Sequence, residues 1–182
     1  MATETWQIDP VHSGIHFSIR HFVVGKVHGR FTKLGGTIQL DEANPANSKV
    51  DVHIDASSVD TNDEKRDGHL KTADFFNVVE HPEITFQSTR VEAAGKDKFR
   101  VTGDLTLRGA KKSITMDVEH GGNVKDPWGN NRGGFSLKTQ INRKDFGIMF
   151  NQLLEGGGPA LGDTIDVTID VEATKAMQAA AN

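Results

Sequence analysis

Cysteine is missing from all 182 residues, and with it go disulfides, thiolate nucleophiles and every zinc or iron–sulfur centre built on sulfur. Long apolar runs are missing too. No stretch of Ala, Val, Ile, Leu, Met, Phe, Trp, Tyr or Cys exceeds three residues, far short of the roughly 20 that a membrane-spanning helix needs. Basic residues are in deficit, 21 Lys and Arg against 25 Asp and Glu for a formal charge of −4. That balance argues against a protein that works by neutralising nucleic-acid phosphates. The N-terminus, MATETWQIDP, has neither a basic n-region nor an apolar h-region, so the expectation is cytoplasmic residence, or periplasmic residence if a leader has been removed. Catalytic motifs are equally scarce. Asp145-Phe146-Gly147 spells the magnesium-binding triplet of kinases, but no glycine-rich loop or H-R-D segment accompanies it. Gly156-Gly157-Gly158 lacks the Lys and Ser/Thr of a phosphate cradle, and no G-x-S-x-G elbow is present. No nucleophile–base pair emerges from spacing, and no metal or cofactor is expected; the reading is non-enzymatic.

What the sequence has in abundance is alternation. Phe99, Val101, Gly103, Leu105 and Leu107 take one parity while Arg100, Thr102, Asp104, Thr106 and Arg108 take the other, the period of a strand buried on one face. Ile165, Val167, Ile169 and Val171 repeat it, as do Phe135, Leu137 and Ile141, and Ile114, Met116 and Val118. Earlier in the chain come Ile15, Phe17 and Ile19, then Val27, Gly29 and Phe31, then Ile38 and Leu40, then Val50, Val52 and Ile54. Residues 6–9 and 84–91 complete an inventory of eight to ten strands. Leu34-Gly35-Gly36, Arg108-Gly109-Ala110-Lys111 and Ala94-Gly95-Lys96-Asp97 read as hairpin turns. Short connections imply antiparallel neighbours; so many one-faced strands either pack as a sandwich or close into a barrel, and the sequential hairpins favour an all-β, antiparallel, eight-stranded barrel. One domain covers residues 1–175, with 176–182 a frayed tail.

One segment departs from the pattern. Thr61-Asn62-Asp63-Glu64 fits a capping box, with Thr61 as N-cap, opening a helical insertion over about residues 61–76. It carries Phe75 and Phe76, which could cover one barrel end. Two glycine-rich stretches, 121–134 with Trp128 and 151–162 with Leu153-Leu154, read as long loops suited to a portal, a membrane touch-down or a dimer contact.

The inward parity defines the candidate site. Phe17, Phe31, Phe86, Phe99 and Phe135 all fall on it, joined by Ile19, Ile38, Leu40, Val101, Leu105, Met116 and Leu137. An eight-stranded barrel is at the size where such an interior is either plugged or holds one elongated apolar ligand. Gly29 and Gly103 leave space inside, unless they mark bends. His21 continues the parity of Ile15, Phe17 and Ile19, as a buried imidazole satisfied within the core or as a polar group facing a ligand. Asp51, His53 and Asp55 share one strand face, and His12 and His16 another; both sets read as solvated surfaces before they read as metal ligands.

Several segments, taken in order, form one recognisable pattern. They are His12-Ser13 with Arg20-His21, Val27-His28-Gly29-Arg30-Phe31, Arg66-Asp67-Gly68-His69-Leu70 with Asp74-Phe75-Phe76, and His81-Pro82-Glu83-Ile84-Thr85-Phe86. Gly103-Asp104-Leu105-Thr106-Leu107-Arg108-Gly109 and Asn142-Arg143-Lys144-Asp145-Phe146-Gly147 complete the set, and in this order the segments resemble the YceI-like family of polyisoprenoid-binding proteins. The resemblance implies a lipocalin-like barrel with a helical insertion, a polyisoprenoid or similar amphiphile inside it, and a homodimer. On that basis Arg143, Asp145 and Phe146 join the candidate ligand-binding residues, with His21, Arg143 and Asp145 at the ligand's polar end. The expected role is carriage or storage of a polyprenyl or quinone-type lipid, with transport and stress response as its setting and transient membrane contact. A fatty acid or fatty amide is the alternative ligand, and an enzyme using His21 and Asp145 as acid–base groups is the alternative function.

Overall fold

The computed structural model describes residues 3–177; of the tail expected at 176–182, residues 178–182 lie outside the described residues. Alternation becomes eleven strand segments: β1 (Glu4–Ile8), β2 (Gly14–His21), β3 (Gly25–Phe31), β4 (Leu34–Leu40), β5 (Lys49–Asp55), β6 (Val59–Asp60), β7 (Glu83–Gly95), β8 (Lys98–Leu107), β9 (Ala110–Lys125), β10 (Asn131–Asn142) and β11 (Leu161–Lys175). Every pairing between them is antiparallel.

Six of the eleven are halves of three long strands. β1 and β2 both pair along β11, Ile8 opposite Ala173 and Gly14 opposite Asp170. β3 and β4 run against β2 and β1 in turn, and β5 and β6 against β4 and β3. Counting each broken strand once gives eight, every one paired with its neighbours in sequence, and β1 pairs with β11 to close the ring. The result is a closed eight-stranded antiparallel barrel, in which no strand is left at a free sheet edge along its whole length.

The Leu34-Gly35-Gly36 hairpin is not formed. The chain bends at Thr32-Lys33 and continues in the same direction, with Gly35 and Gly36 inside β4. Gly36 is there for clearance: its φ is +153°, and a Cβ on it would lie 2.1 Å from the Asp51 carbonyl oxygen. The expected turns at Arg108-Gly109 and Lys96-Asp97 do form, joining β8 to β9 and β7 to β8.

The stretch at 121–134 is not a long loop either. β9 and β10 extend through it to a tight turn in which the Asp126 carboxylate accepts from the backbone N–H groups of Trp128 and Asn130.

The helical insertion is α1 (Glu64–Leu70), capped by Asp63, whose carboxylate accepts from the Arg66 N–H at 2.8 Å. Thr61 is therefore not the N-cap. Its hydroxyl and N–H donate to Asp67, and the Arg66 side chain donates back to the Thr61 hydroxyl and carbonyl. The interaction still ties helix to strand, but from the side chain of a later residue.

Candidate functional site

The barrel is hollow. A cavity of about 420 Å³ runs along its interior, within the range of roughly 300–1,000 Å³ typical of small-molecule sites. Its wall is the inward parity. Phe17, Ile19, Phe31, Ile38, Leu40, Phe86, Phe99, Val101, Leu105, Met116, Phe135 and Leu137 all line it, as do His21, Phe75, Phe76 and Arg143. Along β11 the inward residues Ile165, Val167, Ile169 and Val171 are only half-buried, because they face the hollow rather than packed atoms. Gly29 and Gly103 do not leave the space expected of them. The Phe17 ring lies across Gly29 and the Phe86 ring across Gly103, so near that a Cβ would meet them at 2.3 and 2.5 Å. The glycines admit aromatic rings against the wall, and the void lies elsewhere.

Asp145 and Phe146 stand outside the site. Arg143 opens a 3₁₀ turn (Arg143–Phe146), on which Asp145 is exposed and Phe146 is packed into the core at 2% exposure, and neither lines the cavity. The acid–base pairing of His21 with Asp145 is thereby lost.

One end of the cavity is open. Among its lining residues, three are also exposed to solvent: Arg66 and His69 on α1, and Gln152. They share an end with His21, which pairs with Leu161, and with Arg143. The His69 ring is wedged edge-on against Phe75 and Phe150, at centroid distances of 5.0 and 4.9 Å, and hydrogen-bonds Asp74. Arg108, in the β8–β9 turn, donates to the carbonyls of Ala73 and Gly147, tying the insertion to the 3₁₀ turn. At the opposite end Trp6, Leu40 and Ala173 are buried in the core. Of the polar lining residues, His21, Arg66, His69, Arg143 and Gln152 gather at the open end, Ser48 sits near the closed end, and Thr139 lies between. The chamber suits an elongated apolar molecule with one polar terminus.

Arg66, His69, Phe150 and Gln152 are missing from the residues expected on sequence. A signal for two of them was present: Arg66, His69 and Leu70 fall at i, i+3 and i+4, one face of the helix that carries the insertion. Phe150 and Gln152 lie in irregular chain, where no period marks a face.

The metal question moves to a different place. Asp51, His53 and Asp55 stay on the outer face of β5, with Asp55 capping the turn at Ser57. The group among the described residues whose ligand atoms converge is Asp9, His12 and Glu172, all within 4.8 Å. Arg132 already occupies that convergence. Its guanidinium donates to Asp9 at 3.0 Å, to Glu172, and to Asp126 at 2.8 Å, so the cluster is a salt-bridge network across the barrel seam. His12 hydrogen-bonds Asp9 and, with Arg132, holds its pKa down to about 2, and Arg132 holds Asp126 lower still.

Both carboxylates have folded pKa values below their unfolded ones, so their contribution is full above about pH 4 and declines below it, Asp9's being lost as pH falls through about 2 and Asp126's lower still. Arg132→Gln should be less stable than the parent at neutral pH, and the two should converge toward pH 2. Melting temperatures across that range check this, and parallel curves would show that the network contributes nothing.

The YceI-like domain model matches residues 6–173. Protein YceI of Escherichia coli is 42% identical over 161 residues, spanning 88% of this chain and 81% of the relative. BcnA of Burkholderia cenocepacia has a similar fold, with a TM-score of 0.81 at 23% identity over 92% of this chain and 99% of that one. A Saccharophagus degradans domain, described as polyisoprenoid-binding and implicated in plant cell wall breakdown, superposes with a TM-score of 0.68 at 16% identity, covering 94% and 98% of the two chains.

Proposed function

The chain belongs to the YceI-like domain family, and from that premise we propose that it binds and carries an elongated isoprenoid lipid inside the barrel without chemically altering it. The observation that carries this reading is the cavity: apolar along its length, closed by core residues at one end, and ringed by polar side chains at the open end. The lipid tail lies along Val101, Leu105 and Met116, and its polar terminus rests near His21, His69 and Gln152. The polyisoprenoid-binding description of the Saccharophagus degradans domain supports the ligand class.

Energetics favour such a carrier and also define its difficulty. Withdrawing an apolar chain from water is worth about 0.8 kcal/mol per CH₂, so one five-carbon isoprene unit contributes roughly 4 kcal/mol on that rule. Transfer from water is therefore strongly favourable after a few units. The competitor is a bilayer, whose interior is as apolar as the barrel. Selectivity must come from the shape of the chamber and from the polar rim.

Native mass spectrometry of the purified protein, with an organic extract of the same sample, tests the reading. The expected adduct fragments in isoprene steps. A fatty acyl adduct would overturn the ligand class, and failure to take up added prenyl lipids would overturn the carrier itself.

A further inference from the structure

The tip of the β2–β3 hairpin is unusual in both chemistry and backbone. Phe22, Val23 and Val24 are consecutive, apolar and 51%, 68% and 95% exposed. Phe22 and Val23 sit in the left-handed region with φ of 49° and 66°, which a β-branched residue adopts at a cost. Three hydrogen bonds impose the shape: Val24 N–H to the Phe22 carbonyl at 2.7 Å, Phe22 N–H to the Ala160 carbonyl at 3.0 Å, and Arg20 to the Val23 carbonyl at 3.3 Å. The strained tip thus turns three apolar side chains toward solvent, Phe22 resting one face of its ring on His21 at a centroid distance of 3.8 Å and leaving the other uncovered.

The Phe22–Ala160 bond also joins this tip to the segment before β11, where Met149 is 61% and Leu153 84% exposed. Three of these five have chain neighbours in the cavity wall: His21 beside Phe22, Ile148 and Phe150 beside Met149, and Gln152 beside Leu153. An outward apolar rim therefore borders the ring of polar side chains, at the end where the cavity opens.

We infer that this rim docks on a lipid bilayer, seating the cavity mouth on the headgroup layer so that cargo passes between membrane and barrel without crossing water. The inference rests on the lipid-carrier reading above. A bilayer fits the rim for two reasons. Its interior is the reservoir of any lipid this apolar, and exposed apolar side chains around a mouth partition into its interface. A second copy of the chain seated on the same rim would instead seal the two mouths against each other. The rim residues are uncharged and the protein carries a formal charge of −4, so attachment is apolar and does not need anionic lipid.

Flotation with phosphatidylcholine vesicles tests this, comparing the parent with Phe22→Asp/Val24→Asp. The parent is expected to float, and the double variant to partition at least about tenfold less, while still taking up a detergent-solubilised prenyl lipid. A parent that stays in solution, or a variant that floats equally well, overturns the inference. So does a variant that converts a dimer to a monomer with vesicle binding unchanged. Trp128, 81% exposed at the far end, gives a further check: a blue shift of its emission on vesicles would place the membrane at the wrong end. Loss of prenyl-lipid uptake by the parent, with flotation intact, would overturn the carrier reading and leave the docking surface standing.

Discussion

A guanidinium placed low in the cavity, in Phe99→Arg, is expected to empty the chamber while the barrel stays folded. Phe99 is half-buried on β8, opposite Ala93 and Val118, and faces the cavity near its closed end. It is the second residue of its strand, beside the Lys96-Asp97 turn. A long side chain here can bury its methylenes and carry its charge toward the turn and water, so folding survives. The same change at Val101, two residues deeper and 5% exposed, would strand the charge and prevent folding. With the Phe99 ring gone and a hydrated cation drawn to the floor of the chamber beside the turn, an isoprenoid tail loses its apolar wall over that depth. Lipid occupancy by native mass spectrometry should fall at least about tenfold, since losing two or three buried methylenes' worth of contact already suffices. Phe99→Leu should retain its lipid. A folded Phe99→Arg that keeps full occupancy would show that the ligand never reaches this depth, and would restrict the site to the polar end.

The barrel was legible because one-faced burial writes its period directly into the residues. On β8 the inward positions Val101, Leu105 and Leu107 are buried as the parity requires, and the same parity located most of the cavity wall. Three features were not legible, each for a physical reason. Gly35-Gly36 has the composition of a turn, but a carbonyl on the neighbouring strand demands the absent side chain. Thr61 and Asp63 are equally good caps by type, and the decision falls to Arg66, whose side chain engages Thr61. Asp145 is two residues from Arg143, yet a 3₁₀ turn sends one to the surface and the other into the wall. Parity also does not distinguish a filled barrel from a hollow one. The distinction lies in where aromatic rings lean, and Phe17 and Phe86 lean over glycines, flat against the wall.

Arg143 shows how a residue can belong to the site and still be held chiefly by the fold. At 1% exposure it is among the most buried side chains in the protein. Its Nε donates to the Gly162 carbonyl at 2.9 Å, and its Nη1 to the carbonyls of Ile148 and Phe150 at 2.9 and 2.7 Å. The Nη2 has no hydrogen bond and lies 3.6 Å from Asp163. Burial pushes the guanidinium pKa down and Asp163 opposes it; the group stays charged at neutral pH, as arginine does. Four charged or polar demands thus converge on one side chain that fastens the segment carrying Met149, Phe150, Gln152 and Leu153 to the start of β11. Arg143→Met keeps much of the volume but leaves three carbonyls without a donor, and a loss of about 3–5 kcal/mol is expected. Arg143→Lys supplies one ammonium where two nitrogens of a planar fork are needed, so it should recover only part of that. Denaturant midpoints give the stabilities, and hydrogen exchange locates the damage: protection should fall first over residues 148–162, at the cavity mouth, before the rest of the barrel. If Arg143→Met were as stable as the parent but bound lipid poorly, the guanidinium would be a ligand group held in reserve. The three short backbone contacts argue for the opposite order, in which the fold claims this cation first and the ligand meets a rim that it keeps in place.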